Sequence, residues 1–277
     1  MASAQGTVYG VIDQAVRVID GKSSLVSGSF HTSRIGIKGS EDLGNGLTAS
    51  FILEGKLNAS NGDMSGDQMF NRESSLSIGS NTLGTITLGR TDTSASENID
   101  GIAGFGNFGN FVLVWDVEYA ADRANTVRYS SPLVSGAQFQ IGQSEAIDSN
   151  EKLTSGSLTY KNQILSLGAG YDRTESGNTY KAIGGAVSIS GASLGAMYGM
   201  RDAETETKVA VVSGRMPLGA FAVHGVHSIK DAGGVESKTS TVGVSYNFSK
   251  TTMILAAYQD QDTGGSDFYQ IGIKHSF

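Results

Sequence analysis

The sequence predicts an all-β fold, a transmembrane antiparallel β-barrel of sixteen strands, from three observations. First, short segments in which apolar and polar residues alternate recur along all 277 residues, as in strands with one apolar face. Second, the connections between these segments are alternately short and longer, as in outer-membrane barrels. Third, there is no apolar run of about 18 residues that would indicate a membrane helix. A barrel whose residues alternate between lipid and lumen keeps an ordinary mean hydropathy, which is −0.12 here.

The composition restricts the possible functions. The 38 glycines and 2 prolines suit many short strands joined by tight turns. The net charge of −7, without any basic cluster, argues against nucleic acid as a partner. The absence of cysteine excludes disulfides, thiolate catalysis and zinc sites built on cysteine. His224 and His227 fall on opposite faces of a strand, so no metal site is predicted, and no cofactor is expected.

The N-terminal residues resemble the end of a targeting signal. Ala2, Ser3 and Ala4, followed by Gln5, resemble the end of a signal-peptidase site. We therefore expect that a signal peptide has been removed and that the protein lies in the bacterial outer membrane. Residues 1–277 are expected to form a single barrel domain.

Five strands precede a long irregular stretch. They are predicted at residues 6–19, 31–39, 47–57, 70–79 and 85–89, with a polar loop at 20–30 and a tight turn at 42–46. The alternation directs apolar residues such as Val8, Ile35 and Phe51 outward. It directs six charged residues inward: Asp13, Arg17, Arg34, Lys38, Glu54 and Lys56.

Residues 90–124 interrupt the alternation. A stretch of this length without regular structure is usually functional in a compact domain, so we predict that it lies inside the closed wall. The spacing Ser94-x-x-Glu97 is typical of a capping box and predicts a short helix. Residues 104–109 match G-x-G-x-x-G, but no strand and helix flank them as in a dinucleotide-binding unit. We interpret these glycines as allowing the chain to bend.

Eleven further strands complete the barrel. They are predicted at residues 125–131, 137–143, 152–160, 164–173, 179–189, 193–201, 207–216, 220–229, 237–248, 251–261 and 267–277. In the last strand Ile271 and Ile273 face outward and Lys274 faces inward. Because Phe277 ends an alternating strand, we expect the first and last strands to pair, which leaves no sheet edge in lipid.

Six segments resemble the general porins of β-proteobacteria and Neisseria. They are found, in matching order, at residues 6–13 (GTVYGVID), 33–47 (SRIGIKGSEDLGNGL), 70–72 (FNR), 84–90 (GTITLGR), 125–132 (NTVRYSSP) and 272–277 (GIKHSF). The second and fourth segments are the more specific ones. Relatives are often longer, with larger loops, whereas the loops after the third are short here. A barrel of fourteen strands is therefore the alternative.

The resemblance implies a homotrimeric channel in which the third loop, residues 90–124, folds into the barrel and narrows it. It also implies that arginines on the wall face acids on the loop. The predicted constriction residues are Arg34, Arg72, Arg128 and Glu54 on the wall and Asp100, Asp116 and Glu118 on the loop. The predicted pore-lining residues are Asp13, Arg17, Lys38, Lys56 and Lys274.

Arg72 conflicts with the alternation. Counted from Leu76 and Ile78, which face outward, Arg72 would face outward as well. Either a β-bulge near Glu73 corrects its direction, or the resemblance does not extend to this residue.

Together with the resemblance, these features predict a passive, water-filled channel for small hydrophilic solutes and ions, and not an enzyme. Its expected partners are outer-membrane lipid, copies of itself and those solutes. The net charge favours cations, whereas the arginines favour anions at the narrowest point. Since charges within a Debye length of about 8 Å dominate, we expect a weak anion preference. Two alternatives stay open: a substrate-specific outer-membrane channel, and a soluble all-β binding protein or adhesin.

Overall fold

The computed structural model describes residues 5–102, 123–145, 151–263 and 265–277. These ranges form seventeen strands and one helix, α1 (Ser94–Ile102), which follows β6. The strands are β1 (Gln5–Ile19), β2 (Lys22–Ser27), β3 (Arg34–Gly44), β4 (Leu47–Lys56), β5 (Glu73–Ser80), β6 (Gly84–Thr91), β7 (Arg123–Ser130), β8 (Ala137–Ser144), β9 (Leu153–Lys161), β10 (Leu165–Thr174), β11 (Thr179–Ile189), β12 (Ala192–Asp202), β13 (Thr207–Leu218), β14 (Phe221–Ala232), β15 (Val235–Asn247), β16 (Thr252–Gln261) and β17 (Phe268–Ser276).

Antiparallel pairing of neighbouring strands builds one closed sheet. From β3 to β17 each strand pairs with the next one in sequence. The wall closes between β1 and β17, in register from Val11 opposite Ser276 to Ile19 opposite Phe268. This confirms the predicted pairing of the first and last strands. The closed sheet satisfies its backbone groups internally, as a membrane-spanning sheet must.

The seventeen strands occupy sixteen positions in the wall, because β2 and β3 share one. β2 pairs with residues 14–19 of β1, and β3 pairs with residues 5–11 of the same strand. The six residues between them, 28–33, leave the ladder; we call them the β2–β3 insert. The prediction of sixteen wall strands is confirmed, and the fourteen-stranded alternative is set aside.

The predicted loop at residues 20–30 is wrong in its first part. Residues 22–27 form β2 after a two-residue turn at Asp20 and Gly21, whose φ angles are 50° and 75°. Positive φ at both central residues is the backbone conformation of the tight hairpin turns that suit twisted strands. The Asp-Gly pair therefore marks a hairpin between β1 and β2.

The two faces of the wall differ in polarity. On β15, for example, Val242 and Val244 are exposed on the outside, whereas Thr241 and Ser245 are buried on the inside. The same alternation recurs on neighbouring strands, so the outside is an apolar surface suited to lipid and much of the inside is polar. Among the described residues, no helix is long and apolar enough to cross a membrane.

Charge is unevenly distributed on the inner face. The inward positions of β11 to β16 include buried apolar side chains, among them Ala182, Val209, Val211 and Leu255. The inward acids and arginines discussed below are mostly on β1 and on β3 to β7. Strands β11 to β16 carry inward cations as well, since Arg201, Arg215 and Lys230 are opposite the buried Tyr180, His224 and Val209 in the ladder.

Candidate functional site

Glu54 on β4 is the centre of a charged cluster on the inner wall. Its Oε1 accepts a hydrogen bond of 2.6 Å from Nε of Arg72, and its Oε2 lies 3.4 Å from Nε of Arg34. The hydroxyl of Tyr9 donates to the same Oε2 at 2.9 Å. One carboxylate, 12% exposed, thus holds two guanidinium groups that are 28% and 29% exposed. We call Tyr9, Arg34, Glu54 and Arg72 the Glu54 cluster.

Local packing fixes the position of Tyr9. Its ring lies over Gly36 on the neighbouring strand β3, where an added Cβ would approach Tyr9 Cζ to 2.7 Å. Glycine at position 36 therefore leaves the space that the ring needs. The Nζ of Lys38 lies 4.8 Å from the centre of the same ring, close enough for a cation–π contact.

Arg72 reaches the inner face without a β-bulge. The pairing of β4 with β5 runs regularly from Thr48–Gly79 to Glu54–Glu73. The strand begins at Glu73, so Arg72 precedes it and is not bound by its alternation. The predicted start of this strand at residue 70 is wrong, so the outward direction counted from Leu76 and Ile78 does not extend to Arg72. The backbone amide of Arg72 donates to the carbonyl of Glu54 at 3.1 Å, which brings the two side chains together.

Arg128 on β7 forms the second charged pair of the inner wall. Its guanidinium makes an ion pair with the carboxylate of Glu97 on α1, and its Nη1 donates to the carbonyl of Asp92 at 3.2 Å. The Arg128 side chain is 9% exposed, whereas Glu97 is 42% exposed. Among the described loop residues, the acid that meets Arg128 is therefore Glu97, which was not among the predicted loop acids.

Helix α1 is anchored to strands far from its own position in the sequence. Thr93 caps the helix, because its Oγ1 accepts the amide of Ser96 at 3.1 Å, and the same hydroxyl donates to Oδ2 of Asp172 on β10 at 2.8 Å. The amide of Ala95 donates to Ser155 at 3.3 Å on β9. Ser155 and Asp172 are buried inward positions, so the helix lies against the inside of the wall. The predicted helix is confirmed, but its cap is Thr93 instead of Ser94.

A polar cavity of about 230 Å³ joins the two charged groups. Its charged lining residues are Glu54, Arg72, Glu73, Asp92, Glu97 and Arg128. Glu73, Asp92 and Glu97 were not among the residues predicted for the site. Glu73 was detectable, since it shares the inward face of β5 with Ser75 and Ser77. Asp92 and Glu97 had no such signal, because no strand alternation applies to the loop.

Burial raises the pKa of the Glu97 carboxyl above its ordinary value. The positive charge of Arg128 opposes this shift, while the negative charges of Asp92 and Glu73 reinforce it. Part of the carboxylate still faces the lumen, so its charge acts on the interior.

The three predicted loop acids are not located by the structure. Asp100 lies within α1, but its side chain is outside the described residues. Asp116 and Glu118 are also outside them, as are residues 104–109.

Asp13 differs from its predicted role as a pore-lining residue. It is 0% exposed, because its carboxylate accepts the amides of Ser29, Phe30 and His31 at 3.0, 3.2 and 2.8 Å. Alternation places Asp13 inward correctly, but the β2–β3 insert covers it. Its function here is to hold this insert, whose Phe30 is 1% exposed, against the inside of the wall.

The other predicted lining residues are inward and partly accessible. Arg17 donates to Oε1 of Gln270 at 2.9 Å, and its guanidinium lies 4.3 Å from the ring centre of Phe268. Lys274 is half-buried on β17, opposite Asp13 in the ladder. Lys38 and Lys56 are exposed.

The acids of this site are arranged around guanidinium groups. Within the described ranges, no group of three or more His, Asp or Glu side chains is placed to hold a metal ion. The acids of the site instead face guanidinium groups, an arrangement that acts on passing charges through its field.

A closed barrel with an apolar outside and a charged inside defines an aqueous channel of the outer-membrane type. The chain belongs to the Gram-negative porin family, whose sequence profile matches residues 1–266. It is thus an outer-membrane protein of Gram-negative bacteria, a passive channel for small hydrophilic solutes and ions.

Individual relatives and solved structures agree with this assignment. Outer membrane porin protein 32 of Delftia acidovorans is 28% identical, with 100% of this chain and 95% of that protein covered. An outer membrane porin protein of Bordetella pertussis is 29% identical over 64% of this chain and 56% of that protein. An anion-selective porin from Comamonas acidovorans has the same fold, with a TM-score of 0.84, 21% identity and coverage of 99% of this chain and 100% of that one. The trimer form of in-vitro folded OmpT of Vibrio cholerae has a TM-score of 0.79 at 17% identity, covering 99% and 100%.

Proposed function

We propose that this channel has a weak preference for anions and that residues 90–124 form its constriction loop. The observation that carries the proposal is the Glu54 cluster, in which one carboxylate faces two arginines and is less exposed than either. Two guanidinium groups against one carboxylate leave an excess of positive charge. Because the arginines are the more accessible partners, a passing ion meets that excess first.

The ion pair of Glu97 with Arg128 limits the size of the anion preference. Glu97 is more exposed than its partner Arg128, and Glu73 and Asp92 line the same cavity. These acids attract cations to the same narrow region. Opposed charges across the cavity create a transverse field, which orients charged and dipolar solutes without binding them tightly. The preference is therefore expected to be modest.

Two similarities support parts of the proposal. The protein from Comamonas acidovorans that shares this fold is described as anion-selective. The trimer form of OmpT from Vibrio cholerae supports a homotrimer for this chain as well. We further infer that residues 1–277 act as one domain surrounded by outer-membrane lipid, and that transport involves no chemical step.

The test is the reversal potential of refolded protein in a planar bilayer under a KCl gradient. A reversal potential shifted toward the chloride equilibrium potential would support the anion preference. Single-channel openings in three equal steps per insertion would support the trimer. A clear potassium preference would overturn the anion proposal. Block of the conductance by a micromolar solute would instead indicate a substrate-specific channel.

A further inference from the structure

Two cations lie on the outer face of the wall near the loop rim, the end of the barrel with the longer connections. Arg173 on β10 and Lys181 on β11 share this face with apolar residues such as Leu167 and Ile183, which are 45% and 63% exposed. Both cations are exposed, whereas Asp172, the neighbour of Arg173 in the chain, is buried on the inside. The alternation therefore directs both positive charges away from the channel.

The strand register brings these two side chains together. Arg173 is directly opposite Thr179, and Lys181 is two residues further along β11 on the same face. Diagonal neighbours of this kind are about 7 Å apart, which is within the reach of long side chains. One anionic group placed over β10 and β11 can therefore contact both cations.

Neither cation forms an ion pair within the part of the chain that the structure describes. By position the nearest acids are Glu175, two residues beyond Arg173, and Asp202, which is opposite Thr179. Three other lysines near the loop rim are each held by a glutamate: Lys152 by Glu145 at 3.1 Å, Lys208 by Glu206 at 2.5 Å and Lys238 by Glu236 at 2.8 Å. The charges of Arg173 and Lys181 are therefore available to a partner outside the chain.

Two tyrosines mark the depth of this pair in the membrane. Lys181 is directly opposite Tyr171 on β10 and Met200 on β12. Tyr171 and Tyr198, two residues from Met200, both face outward and are 38% and 46% exposed. Tyrosine is enriched where hydrocarbon meets headgroups, and the longer loops of such barrels are extracellular. Because Arg173 lies about 7 Å beyond Tyr171 toward these loops, the pair is at the headgroup level of the outer leaflet.

We infer that Arg173 and Lys181 bind the phosphate group of an outer-leaflet lipid. Guanidinium and ammonium groups donate charge-assisted hydrogen bonds to phosphate oxygens, and a guanidinium can contact two oxygens at once. The acyl chains of the same lipid would lie along the outward Leu167 and Ile183, which are closer to the middle of the membrane. A soluble anion would gain no such apolar contact, so a lipid phosphate is the ligand that this surface fits.

The inference rests on the proposed position of the barrel in outer-membrane lipid and is independent of its ion preference. Full-length protein refolded in detergent is titrated with lipid A, a phosphorylated glycolipid, and native mass spectrometry counts the lipids bound to each protomer. We expect saturable binding that Arg173→Gln and Lys181→Gln each weaken about fivefold, the contribution of one basic residue beside anionic lipid. The double variant should bind about twenty-fivefold more weakly, since both charges meet one phosphate.

Two further variants and two competing ligands complete the design. Lys238→Gln removes a lysine of the loop rim that Glu236 already holds, and it should bind lipid A like the wild type. Arg173→Lys retains the charge and should restore most of the binding lost in Arg173→Gln, which separates a charge effect from misfolding. Lipid A without its phosphates and inorganic phosphate should each compete poorly, because the first lacks the charge and the second lacks the acyl chains.

Four outcomes would overturn the inference: no saturable binding of lipid A by the wild type, unchanged binding in the double variant, an equal loss in Lys238→Gln, or displacement of lipid A by equimolar inorganic phosphate. The KCl reversal potential of the same preparations separates this inference from the proposed function. The double variant should keep the ion preference of the wild type, because its charges face away from the channel. Chloride preference without binding of lipid A would refute the lipid site and leave the anion proposal standing. Binding of lipid A with potassium preference would do the reverse.

Discussion

Arg72 donates a hydrogen bond of 2.6 Å to Glu54, although Arg72 lies just before β5 and Glu54 lies within β4. Glu54 is held within strand β4, whereas Arg72 belongs to the connection between β4 and β5. Arg34 shares the same carboxylate from the other side, at 3.4 Å. The cluster therefore sets one buried acid against two more exposed arginines.

Glu54→Gln should strengthen the anion preference. The substitution removes the one negative charge between two guanidinium groups, and a partly exposed pair of this kind contributes about 0.5 kcal/mol, or about a twofold change in the permeability ratio. Reversal potentials under a KCl gradient measure this ratio. Glu236→Gln, which removes an exposed acid on the loop rim, is the control and should leave it unchanged. A shift toward potassium in Glu54→Gln would contradict the role assigned to the cluster.

The anion preference should also rise as the pH falls. Because burial raises the pKa of Glu97, this carboxyl gains its proton at a higher pH than an ordinary glutamate, and the negative charge opposite Arg128 is lost. A carboxyl whose pKa is raised by folding binds its proton more tightly in the folded state. The fold therefore gains stability as the pH falls through that raised pKa.

The measurement for Glu97 is the permeability ratio as a function of pH. The wild type should show a transition that begins above the range of a free glutamate, and Glu97→Gln should start from the low-pH selectivity and lose the transition. If Glu97→Gln kept the wild-type pH profile, the titrating group would lie elsewhere.

Asp172→Asn should loosen the contact between α1 and the wall. Asp172 is buried and accepts the hydroxyl of Thr93, the residue that caps the helix. Loss of a hydrogen bond to a buried charge costs about 2 kcal/mol, so we expect noisier single-channel currents and an altered mean conductance. Thr93→Ala removes the same contact from the other side and should act similarly. Asp260 is exposed on β16, and Asp260→Asn should give the same current noise and mean conductance as the wild type.

Asp13→Asn should lower the thermal stability of the barrel. The carboxylate accepts three backbone amides of the β2–β3 insert, and an asparagine has a single acceptor oxygen in its place. We expect a loss of about 2 kcal/mol, visible as a lower temperature for the heat-induced mobility shift in SDS gels. Asp202→Asn, an exposed residue at the end of β12, serves as the control. An unchanged transition temperature would mean that the insert is held by the burial of Phe30 instead.

The wall was predictable because alternation is a local property. The inward directions of Arg34, Glu54 and Arg128 follow from the period of two along their strands, and the structure agrees. Arg72 was assigned only through the resemblance, since a residue outside a strand has no alternation to follow. Asp13 shows a different limit: alternation gives the direction of a side chain, but not whether another segment covers it.

The loop residues that contact the wall could not be predicted from the sequence, for a similar reason. Glu97 meets Arg128 because α1 is anchored to Ser155 and Asp172, residues about 60 to 80 positions further along the chain. Such contacts depend on tertiary placement, which no local pattern encodes. The hairpin that forms β2 did have a local signal in Asp20-Gly21, but the serine-rich strand after it lacks a clear apolar face.

The β2–β3 insert bears on how insertions are tolerated in this wall. Only two positions of β1, Ile12 and Asp13, separate the partner of Ser27 from the partner of Arg34. Two residues between Ser27 and Arg34 would be enough to continue the strand, but six are present. The chain therefore has four additional residues at this point. Because these residues leave the ladder, the pairing of β3 with β1, and not the length of the insert, sets the inward direction of Arg34, Gly36 and Lys38. Odd as well as even changes in the length of the insert are therefore expected to leave the two faces of the wall unchanged.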